Sequence, residues 1–512
     1  MTASYNNIRD LVEHAAKTFP DTAFFLSQDE AFPSVTGLRL YETCGKAALV
    51  LPGQGMHIGI LGPNSAAWLT AFFSVISSGN VAVPLSVGLP AEELQACVRQ
   101  ADVELLLYDG VCAKETADIQ VRDRKELHSF LQELFSAEGC EYPLLSRDGP
   151  AALYFTSGTT GRSRCVILTH RNLASQANAV LSVLPLDKTD VGLSILPLSH
   201  TFELSTYITG ALHCGGTLYM NESLRTVKPN LKRCRPTVLI AVPLILQTLH
   251  KEIINTARRK GKLNALERGL RLNHFLRLLG FNAGRRLFRE VYEQLGGSLK
   301  TVVCGGASLD RELLHFFYDL GIDLLQGYGI TECSPVVATN TPEHNRLGSI
   351  GRTLSCCETA IIDGEICVRG ESVSPGYYAD LEATAESFRD GWFHTGDLGR
   401  IDREGYLYFT GRKKNLIILS NGENVCPEEI EEKLYMLEGV IDAVVYERGG
   451  KITAELYADP SVIPDKASAW ALVNHMNRGL AVSRRVGELV LRDEPFEKTS
   501  TEKIKRYVLK EG

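Results

Sequence analysis

At 512 residues with 44% apolar side chains, the chain is long enough for two or more domains with a large core, which excludes a small stapled scaffold. A formal net charge of −7 is mild at this size and gives no sign of a nucleic-acid partner. The thirteen cysteines show neither a CxxC pair nor zinc-like spacing and read as reduced thiols; with no charged-then-apolar leader in view, the expectation is a cytoplasmic protein.

The stretch 8–19 has apolar residues at helical spacing and stops at Pro20, which predicts a first helix. From about residue 36 to 330, short apolar runs at 56–61, 81–85, 104–108, 193–197, 237–242 and 301–304 alternate with helical stretches. That alternation predicts α/β sheets with helices on their faces. Between them, 151–155 (AALYF) and 165–168 (CVIL) read as two buried strands. They flank Thr156, Ser157, Gly158, Thr159, Thr160 and Gly161. Glycines let backbone N–H groups turn toward one point, and the hydroxyls add donors for anionic oxygens. This is the chemistry of a polyphosphate cradle, although a bland Ser/Thr/Gly surface turn gives similar strings. It is not a Walker loop, because no Gly-Lys-Ser/Thr ending leads into a helix. The apolar segment 238–249 contains Pro243 and is too short to span a bilayer. Residues 251–290 then carry eleven Lys/Arg and three Glu among Leu, Ile and Phe. They read either as solvated helix faces or as a peripheral contact with anionic membrane lipid or acyl substrate. After Pro335 the runs 359–362, 364–369 and 405–410 are short and punctuated by glycine, which predicts a small β-rich subdomain. The adjacent Cys356 and Cys357 read as inert rather than redox-active. Past Gly411 the order is helix 427–437, strand 440–447, strand 451–458 and helix 466–478, a mixed α and β tail.

Further motifs follow the loop in order along the chain. Gly305, Gly306 and Ala307 come after the strand at 301–304, and the string 326–332 reads QGYGITE. Later come 392–399 (WFHTGDLG), 411–415 (GRKKN) and 498–506 (KTSTEKIKR). The series closely resembles the adenylate-forming superfamily of acyl-coenzyme A synthetases, peptide-synthetase adenylation domains and luciferases, over nearly the whole chain. The strings 196–203 (LPLSHTFE) and 419–431 (LSNGENVCPEEIE), with the segment 251–289, look most like the long-chain fatty acid branch.

The resemblance implies a large N-terminal domain over 1–411, made of α/β sheets with the small β-rich subdomain. A mobile α+β lid over 412–512 would follow, with the active site between the two. The lid of relatives rotates between half-reactions about a hinge, whose position here is Lys414. The implied chemistry is ATP-dependent activation of a carboxylic acid to an acyl-adenylate and pyrophosphate, then transfer to the thiol of coenzyme A. Lys503 matches the catalytic lysine that bridges carboxylate and phosphate. Glu332 is the implied Mg2+ ligand, and Thr331 would donate to the α-phosphate. Tyr328 would offer a flat face to adenine, with Gly306, Ala307, Gln326, Gly327 and Gly329 lining the nucleotide. Asp397 would accept both ribose hydroxyls with Arg412 in support, and His200 and Phe202 would wall the acyl pocket.

Taken alone, each of these residues also has a plain reading. Lys503 and the run 412–414 could be solvated charge, Tyr328 a packing residue, and Asp397 and His200 loop residues. Two positions depart from the family. Arg162, Ser163, Arg164 and Cys165 stand where the loop usually continues x-Pro-Lys-Gly, so Arg164 keeps the charge but not the geometry. Glu502 stands where glycine usually precedes the lysine. These departures are what would favour a degenerate adenylate-binding module. Among enzymes, the alternatives are a bulky aryl or bile-type acid, or transfer to a carrier protein's phosphopantetheine.

Overall fold

A computed structural model describes residues 4–156, 163–306, 309–419, 423–498 and 504–506 and shows a mixed α/β protein. Apolar runs that are buried on both faces pair as parallel strands. Among the described residues, one six-stranded sheet runs in the order Asp123–Glu126, Leu105–Tyr108, His57–Leu61, Val81–Leu85, Pro150–Thr156, Arg164–Thr169. Its neighbours are parallel except the last pair, which is antiparallel and carries the phosphate-type loop between its strands. The helix Ala66–Ser77 starts on Ser65, whose side chain accepts from the Trp68 N–H, and every one of its residues is buried. A mostly apolar helix buried on every side belongs between layers. Here it stacks the Phe73 ring on Phe25 of the other large sheet at 6.2 Å.

That second sheet has nine strands. Its parallel centre is Asp323–Gly329, Thr301–Cys304, Val238–Ala241, Val191–Ser194, Thr217–Met220 and Ala23–Leu26. Antiparallel strands close both edges: Val336–Thr339 and Arg352–Thr353 at one, Ser34–Thr36 at the other. The expected β-rich part is a five-stranded antiparallel sheet that includes Cys357–Ile362, Glu365–Gly370, Trp392–Ile401 and Leu407–Arg412. Beyond it, Val440–Arg448, Lys451–Ala458 and Glu488–Arg492 form a three-stranded sheet with helices Pro427–Tyr435 and Lys466–Asn477. One hydrophobic cluster is drawn wholly from residues 417–489, separate from the main core.

One expectation needs correcting. The strand anticipated at 193–197 lies at Val191–Ser194. Pro197 has no N–H for a ladder, and the backbone beyond Ser194 bonds elsewhere. Asn64 donates to the Leu196 carbonyl at 2.7 Å and accepts from the Leu198 N–H at 3.1 Å. All thirteen cysteines are free, Cys356 and Cys357 among them. No helix among the described residues is long and apolar enough to cross a membrane.

Candidate active site

In open α/β sheets, ligands bind outside the carboxyl ends of the strands. Here those ends converge. Asn64 follows His57–Leu61, Ser86 follows Val81–Leu85 and bonds Ser199 at 2.9 Å, and Gly305 follows Thr301–Cys304. The turn at Gly305 and Gly306 needs small residues. A Cβ on Gly305 would meet the Phe202 ring at 3.0 Å, and Gly306 has φ +86°. Phe202, expected at the acyl pocket, thus packs against Gly305, the residue before the expected nucleotide residue Gly306. His200 is half-buried and immediately precedes the short helix Thr201–Glu203.

Glu203 was not anticipated. It is fully buried, and its Oε2 accepts from the Leu196 N–H at 3.3 Å. Burial pushes its carboxyl from 4.5 up to about 8, so the acid is neutral over the lower part of that range. A raised folded-state value contributes stability that is complete below 4.5 and lost as pH rises through about 8. Glu203→Gln keeps an oxygen but does not titrate. The variant should therefore gain stability relative to the parent between those limits, by roughly 3–5 kcal/mol in all. Melting temperatures of both proteins at pH 5 and pH 8 check this. A difference that does not grow with pH would contradict it.

The second group of residues comes from three motifs far apart in sequence. Tyr328 lies one residue before the end of the strand Asp323–Gly329, and Asp397 and Arg412 sit opposite each other on paired strands. The Tyr328 hydroxyl donates to Asp397 Oδ2 at 2.8 Å, and Arg412 Nε lies 3.0 Å from Oδ1. Asp397 is 2% exposed, so its charge needs this pairing. Its neighbour turn is fixed by Glu365, a residue no motif pointed to. Glu365 Oε1 accepts from the Gly396 N–H at 2.7 Å, and Lys413 approaches Oε2 at 3.2 Å. Lys413 and Lys414 lie in the short turn Lys413–Asn415.

Glu332 occupies the turn Thr331–Cys333 after the same strand and is 5% exposed. The Tyr377 hydroxyl donates to its Oε1 at 2.8 Å. Oε2 is buried and has no hydrogen-bond partner among the described residues. Burial raises the Glu332 carboxyl above the usual range, against the pull of Tyr377, Arg164 and Arg412. Arg164, at the exit of the phosphate-type loop, lies 3.4 Å from the Tyr377 hydroxyl and 5.0 Å from the ring centre. The departure from the family loop therefore links it to the Glu332 carboxylate through Tyr377. A buried carboxylate oxygen without a protein donor suits a hard cation such as Mg2+, which takes one or two carboxylates plus phosphate oxygens. No group of three or more His, Cys, Asp or Glu that could hold a metal occurs among the described residues.

Gln326 and Gly327 are buried, while Gly329 and Thr331 are half-buried. The Thr156 hydroxyl donates to the Arg164 carbonyl at 3.5 Å. Ser157, Gly158, Thr159, Thr160, Gly161, Ala307, Glu502 and Lys503 lie outside the described residues. The flanks of Lys503 are described. Lys498 and Ile504 form an antiparallel bridge, Lys498 pairs with Asp442 at 2.9 Å, and Arg506 pairs with Glu431. Lys505 reaches Glu93 at 3.3 Å, on the helix whose Gln100 donates to the Ser163 carbonyl.

The model of the AMP-binding enzyme family matches residues 12–378. The long-chain-fatty-acid–CoA ligase FadD15 of Mycobacterium bovis is 28% identical, with 93% of this chain and 86% of that protein covered. The peroxisomal long chain acyl-CoA synthetase 6 of Arabidopsis thaliana is 28% identical over 95% of this chain and 78% of its own. Among solved structures, the o-succinylbenzoate coenzyme A synthetase MenE of Bacillus subtilis, in complex with ATP and a magnesium ion, aligns with a TM-score of 0.76. It is 26% identical, with 98% of this chain and 99% of that chain covered.

Proposed function

The chain belongs to the AMP-binding enzyme family, and from that premise we propose that it is an AMP-forming acid–thiol ligase. It activates a carboxylic acid, a fatty acid by the names of its curated relatives, and passes the acyl group to coenzyme A. In the first step a carboxylate oxygen attacks the α-phosphorus of ATP and the bond to pyrophosphate breaks. In the second a thiol attacks the activated carbonyl and AMP leaves. The observation that carries this reading is the buried, half-satisfied Glu332 carboxylate on the same strand-and-turn unit as Tyr328, which bonds Asp397.

The residues divide the work. Tyr328 and the glycines beside it hold the base, and Asp397 takes the ribose with Arg412 neutralising it. The loop 156–161 and Arg164 hold the phosphates, with Gly306, Ala307 and Gln326 along the nucleotide. Two anions must meet, so positive charge and fixed orientation lower the barrier. Thr331 donates to the α-phosphate, and Lys503 bridges it to the acid. Magnesium, when bound through Glu332, supplies charge neutralisation on the phosphates. His200 and Phe202 wall the acyl group.

ATP–pyrophosphate exchange with a panel of acids tests the reading. Exchange dependent on fatty acids supports it. Exchange confined to aromatic acids would favour the MenE-like alternative, and no exchange with any acid would favour a degenerate binding module. Loss of thioester formation with free coenzyme A but not with a carrier protein would move the acceptor.

The boundary near 411 and the hinge at Lys414 belong to the same proposal. The core confined to 417–489 and the turn Lys413–Asn415, set between the strands Leu407–Arg412 and Ile417–Ile418, support it. In Lys414→Pro the ring fixes φ and restricts Lys413. Adenylate should still form, while thioester formation falls by roughly tenfold or more, because rotation of the lid is blocked. Equal rates of thioester formation in variant and parent would move the hinge elsewhere.

A further inference from the structure

We propose that the outward surface of residues 268–289 docks on the face of an anionic lipid bilayer. The helix Leu263–Leu278 is fastened on one side only. Leu266 and Asn273 are buried; Asn273 donates to the Asp319 carbonyl at 2.8 Å, and Arg277 donates to the Tyr318 carbonyl at 3.0 Å. Both partners lie on the helix Arg311–Leu320. Two positions further round, at the same helical spacing, Arg268, Leu272, Phe275 and Leu279 face away.

That outward side is apolar and basic together. Seventeen large hydrophobic side chains are exposed among the described residues, and six of them fall between 272 and 287. The two exposed phenylalanines, Phe275 at 58% and Phe281 at 67%, are both in this patch. Scattered exposed hydrophobics need no explanation, whereas a contiguous patch marks an interaction site. Residues 268–289 contain six arginines and no acidic residue, in a chain whose net charge is −7. Arg268, Arg271 and Arg286 are exposed and make no ion pair among the described residues, while Arg277 and Arg289 pair with Asp323 and Glu293.

Charge complementarity selects the occupant. Phenylalanine and leucine flanked by unpaired arginine match the boundary between acyl chains and anionic headgroups. The rest of the basic stretch is spent within the chain. Lys251 donates to the Val440 carbonyl, Arg258 pairs with Glu438, and Lys260 and Lys262 pair with Glu290. The contact is peripheral, since no helix among the described residues is long and apolar enough to cross.

Co-sedimentation of the full chain with vesicles of phosphatidylcholine, with and without phosphatidylglycerol, tests the proposal. The protein should bind the phosphatidylglycerol vesicles, and salt should weaken binding. The combined variant Phe275→Ser, Leu279→Ser, Phe281→Ser and the separate variant Arg271→Gln, Arg286→Gln should each lower partitioning about tenfold or more. Melting temperature should stay unchanged, and the arginine pair carries the test if the apolar variant does not fold. Absence of binding, or variants that bind like the parent, would overturn the proposal. So would an apolar variant that only dissolves a dimer seen by sedimentation velocity, which would assign the patch to a second copy of the chain.

Discussion

Lys503→Ala is expected to slow adenylate formation by roughly a hundred- to a thousand-fold, the cost of one lost charged donor to a developing anion. Thioester formation from supplied acyl-adenylate should change little, because in the proposed cycle a rotating C-terminal lid would present this lysine only in the first half-reaction. Ile504, Lys505 and Arg506 keep their bonds to Lys498, to Glu93 and to Glu431, so the substitution should leave the segment anchored. Rapid-quench measurement of each half-reaction separates the two. An equal fall in both, with an unchanged melting temperature, would show that Lys503 does not divide the reaction in this way. Glu502 offers a further comparison, because Glu502→Gly restores the family's usual residue and should leave adenylation intact or faster.

Glu332→Gln should weaken adenylation by about 2–4 kcal/mol, or roughly thirty- to a thousand-fold, and raise the magnesium concentration required. The amide keeps the volume and can still accept from the Tyr377 hydroxyl, but it brings no charge to a cation. Adenine binding should suffer less, since the proposed contact to the base is Tyr328 and not Glu332. Tyr377→Phe should give a weaker version of the same change, because it loosens Oε1 without removing the charge. Removing a buried charge also relieves desolvation, so the Gln variant should be no less stable than the parent. Magnesium titrations of the exchange rate distinguish this from a merely structural glutamate. A normal magnesium response with a lowered melting temperature would remove Glu332 from the site.

Much of the fold could be read from local pattern. The strands Val81–Leu85, Thr301–Cys304 and Lys451–Ala458 lie at their anticipated bounds, because each is an apolar or alternating run closed by turn residues. The run at 193–197 deceived because its true partner, Asn64, lies more than a hundred residues away. The motif residues Tyr328, Asp397 and Arg412 were recognisable one by one, but the bonds among them were not. Glu365, Tyr377 and Glu203 carry no local signature. A glutamate inside a strand looks like an exposed polar position until the sheet shows it buried at 4%. The basic stretch was visible as composition. Which of its charges bond within the chain, to Val440, Glu438 and Glu290, and which make no ion pair among the described residues, depends on how the helices sit.

In the proposed reaction one chain couples ATP cleavage to AMP with thioester formation. Incubation with a long-chain fatty acid, ATP, magnesium and coenzyme A, followed by mass spectrometry, measures it directly. AMP, pyrophosphate and acyl-coenzyme A are expected in equal amounts, with acyl-adenylate accumulating when coenzyme A is left out. ADP in place of AMP, or acid-independent ATP cleavage with no adenylate, would contradict it.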